Sequence, residues 1–250
     1  MFSHSGGAGE LRGISILARN VLLEVSVENV GGAQAAERGG AQRLELCSLL
    51  SAGGITPETE LIPAVRNAVK LPIFMMIRPR VGGFAYSDPE FAMMRESIEL
   101  AKESRMDGVV LGMLTHEHTV DVARTTELVR LAAPLPVTFH RAFDVSANLQ
   151  QALTDVLQTG AQRILSSGGA FDAFAGAATL ATLRKSARGK ILIVPGTGIN
   201  PGNIAQVARI SGAREIHSGL GSVLAYGSQD FAAFEAEIRK MVTALDPSKK

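Results

Sequence analysis

The chain is predicted to fold as a single α/β (β/α)8 TIM barrel, on three observations. From Leu22 onward, short apolar, β-branched runs alternate with longer stretches of helical period, the pattern of a parallel sheet with crossover helices. Such strand–helix pairs fill about 225 residues in eight even units without a Pro- or Ser-rich linker, which favours closure over a doubly wound open sheet of about five or six strands. The strands also end in polar residues. Leu135 to Asp144, with an apolar run giving way to His140, Arg141 and Asp144, shows this most clearly.

Leu22–Val27 reads as the first strand, followed by a helix from Glu28 to Arg38 that stops at Gly39-Gly40. Arg43–Cys47 is the second, and behind its long loop Thr56-Pro57 predicts an N-cap and first helical position for a helix to Ala68. The third strand, Ile73–Arg78, precedes a glycine-containing loop and a helix to about Ser104, where Ser87 and Glu90 have the spacing of a capping box. Gly108–Met113 and Pro136–Ala142 follow, with helices over Val120–Ala132 and Ala147–Gln158. Arg163–Ser167, Lys190–Pro195 and Glu215–Ser218 complete the strands, with helices over Phe171–Ala187, from Asn200-Pro201 to about Ile210, and over Phe231–Leu245. The repeated Gly40-Ala41-Gln42, Gly160-Ala161-Gln162 and Gly212-Ala213-Arg214 mark similar helix-to-strand turns. Residues 1–20 are expected to be a loose tail outside a domain spanning 21–250.

Hydrophobic residues make up 46% of the 250 and charged residues 20%, an ordinary globular balance. Twenty-five basic against 24 acidic residues leave a net charge of +1, which gives no electrostatic reason to expect nucleic acid or a membrane surface as partner, so a small molecule or ion is favoured. Cys47 is the only cysteine, which excludes an internal disulfide and suits a reducing cytoplasm. No run approaches the roughly 18 apolar residues of a membrane span.

Strand alternation decides which side chains face the barrel axis, because the other face must pack on apolar helices. Leu23, Val25 and Val27 suit the helix layer, which turns Glu24 and Ser26 inward. The same count places Glu45, Cys47, Arg78, Thr138, His140, Glu215 and His217 inward, most of them near the C-terminal mouth. Gathering so many ionisable groups costs several kcal/mol each unless they pair or bind something, which marks either a buried charge network or a functional site. As an enzyme, the chain would use His140, Glu45, Glu24 and Arg78 in acid/base chemistry on a small anionic or phosphorylated metabolite. Arg78, Arg141 and Asp144 are candidates for binding or orienting the anion, or Arg141 and Asp144 simply pair as loop residues.

The seventh strand runs into Pro195-Gly196-Thr197-Gly198 and the eighth into Ser218-Gly219-Leu220-Gly221. Gly196, Gly198, Ser218 and Gly219 are therefore expected to bring backbone N–H groups to an anion, as loops in this position of a barrel often do; tight turn geometry is the alternative. No lysine lies at a predicted C-terminal strand end, which argues against a Schiff-base aldolase.

Cys47, His140 and His217 supply soft donors of the kind that select Cu(I) or zinc, with Met75 and Met76 as core filler nearby. His116-Glu117-His118 carries two imidazoles but no local third ligand, as an exposed loop would.

Arg43-Leu44-Glu45-Leu46-Cys47, Gly53-Gly54-Ile55-Thr56-Pro57, Ile77-Arg78-Pro79-Arg80, Gly83-Phe84-Ala85-Tyr86-Ser87 and Phe139-His140-Arg141-Ala142-Phe143-Asp144 together resemble the CutC copper homeostasis family, from about Leu22 to Ser222. The resemblance implies a cytoplasmic TIM barrel, a homo-oligomer (dimer or tetramer) and a role in copper handling. The family cysteine of Glu-Leu-Cys is kept as Cys47, whereas the cysteines that several members carry after Leu-Leu-Glu are replaced by Val25 and Ser26. One cysteine with two histidines is then the soft set that remains for Cu(I).

Overall fold

Alternation along each strand separates two cores. Leu23, Val25, Val27, Leu44, Leu46, Ile73, Met75 and Ile77 are fully or almost fully buried in the layer between strands and helices, whereas Cys47, Phe74, Met76 and Val110 form a separate apolar cluster. The computed structural model describes residues 21–246, so the expected tail at 1–20 lies outside the described residues. Among the described residues, eight parallel strands form one sheet in the order β7-β6-β5-β4-β3-β2-β1-β8. They are β1 (Leu22–Val27), β2 (Arg43–Leu46), β3 (Ile73–Met76), β4 (Gly108–Leu111), β5 (Val137–Phe139), β6 (Arg163–Ser166), β7 (Leu192–Pro195) and β8 (Glu215–Ser218). β7 and β8 stand side by side at the seam, which makes the sheet a nearly closed barrel.

Each strand is followed by a helix: α1 (Val30–Gly39), α2 (Leu61–Ala68), α3 (Asp88–Glu103), α4 (Val122–Ala132), α5 (Leu149–Thr159), α6 (Ala177–Ala187), α7 (Ile204–Ser211) and α8 (Phe231–Leu245). The Ser87–Glu90 capping box forms as expected, and Gly40, Gly160 and Gly212 end α1, α5 and α7 in the left-handed conformation that the Gly-Ala repeat signals. Gly39 lets α1 approach α8, since a Cβ there would lie 2.8 Å from Ile238.

Two helix starts differ from expectation. α2 begins at Leu61 rather than at Thr56-Pro57, because the Thr56 hydroxyl accepts the Arg78 N–H at 2.9 Å and so ties the loop to the end of β3 instead of capping a helix. α7 begins at Ile204, because Asn200 and Asn203 bond one another and the Gly198 carbonyl within the preceding turn. Both differences tighten loops at the barrel mouth.

The N-terminal end of the barrel is closed by charge. Arg43 bonds Glu24 through Nε and Glu215 through Nη2 at 2.5 Å, and Arg163 bonds the same Glu215 oxygen at 2.9 Å. Both guanidinium groups lie over the Phe74 ring, at 4.6 and 5.1 Å from its centroid, so cation–π contact adds to the ion pairs.

Candidate active site

At the C-terminal mouth the loops enclose a cavity of about 330 Å³. Glu45, Arg78, His140, Arg141 and His217 line it, together with Thr197, Gly198, Ile199 and the run Gly219–Ser222. Of the residues expected at the site, Glu24, Cys47, Asp144, Gly196 and Ser218 do not line the cavity. Gly196 gives its N–H to the Ser166 carbonyl and Ser218 bonds Ile199 and Leu220, so both serve loop geometry.

Strand register builds the acidic side. Glu24 is paired with Arg43 on β2 and with His217 on β8, and Ser26 with Glu45, which stacks these side chains toward the axis. The Glu24 carboxylate meets His217 Nδ1 at 2.7 Å, His217 Nε2 meets the Ser26 hydroxyl at 2.8 Å, and that hydroxyl donates to Glu45 Oε1 at 3.1 Å. Burial pushes the Glu24 carboxyl up, but the His217 hydrogen bond and the Arg43 guanidinium outweigh it and hold the pKa down to about 2. Burial also works against a charged His217, yet the Glu45 and Glu24 carboxylates raise its pKa above the usual imidazole value. Glu45 moves the other way from Glu24: burial raises its pKa, Glu24 adds to the rise, and the pull of His217 does not offset them. Its Oε2 has no hydrogen-bond partner. The result is a buried carboxyl with raised proton affinity and one free oxygen.

The opposite side is built from donors. His140 directly follows β5, and its Nδ1 accepts the Ala142 N–H at 3.2 Å as a short 3-10 turn begins. That bond assigns the remaining proton of the neutral ring to Nε2, which has no partner in the protein. Burial, then the Arg78 and Arg141 charges, lower the His140 pKa to about 3, so the ring is neutral at pH 7. Arg78 is anchored through both Nη atoms to the carbonyls of Ala52, Gly54 and Gly82, packs 4.9 Å from the Phe84 ring centroid and leaves Nε unpartnered. Unpaired buried polar atoms cost about 1–3 kcal/mol each and are scarce in native proteins, so three of them on residues that line one cavity mark it as the candidate site.

Asp144 has a different task from orienting a ligand. Its carboxylate accepts from the Ser166 hydroxyl and from the N–H groups of Ser167 and Gly169, and it pairs with Arg141 at 3.0 Å. It is itself the anion in the nest of donors after β6. Asp144→Ala, which strands those donors, is expected to lower the unfolding free energy by about 3 kcal/mol in urea titrations.

Among the described residues, the His/Cys/Asp/Glu group whose donor atoms lie within 4.8 Å of one another is Glu24, Glu45 and His217. Cys47 and His140 do not join His217 in such a group. Cys47 is fully buried, and burial, with Glu45 and Glu28 adding, pushes its thiol well above the usual range. His116, Glu117 and His118 are exposed on a turn. The sequence places Ser26 on the axis but gives no sign that it links His217 to Glu45, and it does not single out Arg43, which holds Glu24, although the parity of β2 points Arg43 inward.

The pattern of the CutC family matches residues 21–222. The chain belongs to the CutC family. A CutC protein of Chromobacterium violaceum is 46% identical over 197 residues, covering 79% of this chain and 80% of that protein. A copper homeostasis protein cutC homolog of Homo sapiens is 43% identical over 213 residues, covering 85% of this chain and 76% of that protein. A solved CutC structure from Streptococcus agalactiae superposes with a TM-score of 0.75 at 29% identity, over 79% of this chain and 98% of its own. Phosphoribosylanthranilate isomerase from Thermotoga maritima, at 15% identity and a TM-score of 0.60 over 91% and 99% of the two chains, shares the barrel fold alone. In this CutC chain Val25 is buried in the strand–helix core, and Ser26 lies between His217 and Glu45. No helix among the described residues is long and apolar enough to cross a membrane.

Proposed function

We propose that this CutC protein binds a small anionic carbonyl compound in the barrel mouth and moves a proton on the carbon next to the carbonyl, in the cytoplasm. The observation that carries the reading is the set of three buried atoms without partners, Glu45 Oε2, His140 Nε2 and Arg78 Nε, on residues lining one cavity. Glu45, with its raised proton affinity, is the base that takes the C–H proton. The electron pair moves onto the carbonyl oxygen, where neutral His140 donates Nε2–H; a neutral imidazole is a hydrogen-bonding electrophile rather than an acid. Arg78 supplies fixed positive charge. Return of the proton from Glu45, or of a solvent deuteron exchanged onto it, to the same carbon closes the cycle. Incubation with small hydroxycarbonyl acids and phosphates in D2O tests this: deuterium should enter at the α-carbon and be lost with Glu45→Gln by about 1000-fold. No deuterium entry into any of them would sink the reading.

Copper is favoured by the names of the CutC relatives. Cu(I) prefers thiolate and thioether donors; Met76, a thioether, lines the cavity and packs with Cys47, but the donor set as a whole does not fit it. Cys47 is the single thiol, is buried away from the cavity lining and resists ionisation, while the gathered group offers two carboxylates and an imidazole, with Glu24 already bonded to Arg43 and His217. Cys47→Ala is accordingly expected to leave Cu(I) uptake, measured by chelator competition, unchanged.

A further inference from the structure

The loops after β7 and β8 place six residues on the same cavity, Thr197, Gly198, Ile199, Gly219, Gly221 and Ser222, and the backbone N–H of none of them donates to another group among the described residues. Around them the other donors are used: Gly196 N–H by the Ser166 carbonyl, Leu220 N–H by the Ser218 hydroxyl and Asn200 N–H by Asn203. Backbone N–H groups inside folded proteins are almost always paired; Gly221 and Ser222 are exposed, so those of Thr197, Gly198, Ile199 and Gly219 are the unsatisfied donors of the two loops. The wall has no acidic side chain of its own. Asp172, packed behind Gly198, is held by the Ala175 N–H. The nest after β6 shows the contrast, since there the chain fills the donors with its own Asp144 carboxylate.

A second observation points to a ligand in this cavity independently of the loops. His140 Nε2 and Glu45 Oε2, on side chains more than nine-tenths buried, have no partner and belong to residues that line the same cavity from β5 and β2, apart from the loop wall. A ligand that satisfies both walls carries a reacting polar group at one end and a multidentate anion at the other. A carboxylate, with two oxygens in one plane, is poorly shaped to serve donors from two separate loops at once. A phosphate has three terminal oxygens, each able to accept two hydrogen bonds, and its charge suits backbone dipoles in a site that lacks lysine.

We infer that the ligand is a phosphomonoester, its phosphate held by the backbone N–H groups of the β7 and β8 loops and its carbonyl end held between Glu45 and His140. This rests on the proton-transfer reading for the carbonyl end only. The phosphate end can be tested by itself.

The probes are inorganic phosphate and glycerol 3-phosphate, with glycerol for comparison, followed by calorimetry and by 31P line broadening on the full chain. Saturable binding of both phosphates, and none of glycerol, is the expected result. Gly219 accepts a side chain, because a Cβ there meets Leu50 at an ordinary 3.4 Å, so Gly219→Asp places a carboxylate among the donors. It should weaken phosphate binding at least about tenfold, as should Ser222→Glu, while Ser97→Asp, the same charge added to α3, should not. Circular dichroism and melting confirm that each variant is folded. Glu45→Gln separates the two readings: it should still bind phosphate while losing deuterium exchange. Absence of saturable phosphate binding, or equal binding in wild type and both loop variants, overturns the inference. Phosphate binding without exchange in any phosphorylated carbonyl compound leaves the phosphate site standing and removes the proton-transfer chemistry.

Discussion

Arg43→Met is expected to lower the unfolding free energy by about 4 kcal/mol and the melting temperature by about 10 °C, because it leaves buried carboxylates without their cation. Arg43 is 4% exposed and holds Glu24 and Glu215 at once, with its guanidinium on the Phe74 ring. Arg163 still serves Glu215 after the substitution, and His217 still serves Glu24, so the structure has partial substitutes but not a full set. The pH dependence identifies the cause. Glu24 has a folded pKa of about 2 against 4.5 for a free carboxyl, so its stabilisation is present above pH 4.5 and lost as pH falls through 2. Without Arg43 that depression shrinks. The deficit of the variant should therefore be largest above pH 4.5 and narrow on acidification. Glu24→Gln combined with Arg43→Met removes one unpaired charge and should be less destabilised than the sum of the single changes. Strict additivity would show that the pair does not interact.

The same cluster shows why the sequence reveals the barrel more readily than its chemistry. Alternation placed Glu24 and Glu45 on the axis because each is flanked by apolar residues that need the helix layer, and His217 because Ile216 before it does. By the same parity Arg43 precedes Glu45 and also points inward, but it stands at the strand entrance, where a long side chain can reach solvent, so only closure of the sheet shows it buried. Thr56-Pro57 has the form of a helix start, and its hydroxyl is taken by the backbone of a strand 22 residues away. Asp144 reads either as a ligand-orienting residue or as the partner of Arg141; it pairs with Arg141 and also fills donors at the end of β6, a long-range pairing that local pattern does not encode. What the sequence could not distinguish were the two glycine loops, where some N–H groups serve turns and others have no acceptor among the described residues. Their neighbours in space decide that, not their spacing.

His140 should make the protein lose stability on mild acidification, by about 3 kcal/mol between about pH 7.5 and 4.5 relative to a His140→Gln variant. The folded ring has a pKa of about 3 because it is buried and faces Arg78 and Arg141, while in the unfolded chain it titrates near 6.5. Between those values the unfolded state binds a proton that the native state refuses, so stability falls as pH drops from 6.5 toward 3. Glu45 and His217, both with raised pKa values, act in the opposite sense over part of this range, so the raw curve of the wild type mixes three contributions. The difference between wild type and His140→Gln isolates the one that matters, since glutamine takes up no proton and retains an N–H donor. Heteronuclear NMR of the imidazole should show an Nε2–H tautomer that does not titrate above pH 4.5. A ring that titrates near 6.5, or a variant with the same acid slope as the wild type, would mean that His140 is solvated and charged at the mouth. It would then act as an acid rather than as a neutral donor, and the proton-transfer chemistry would need a different electrophile.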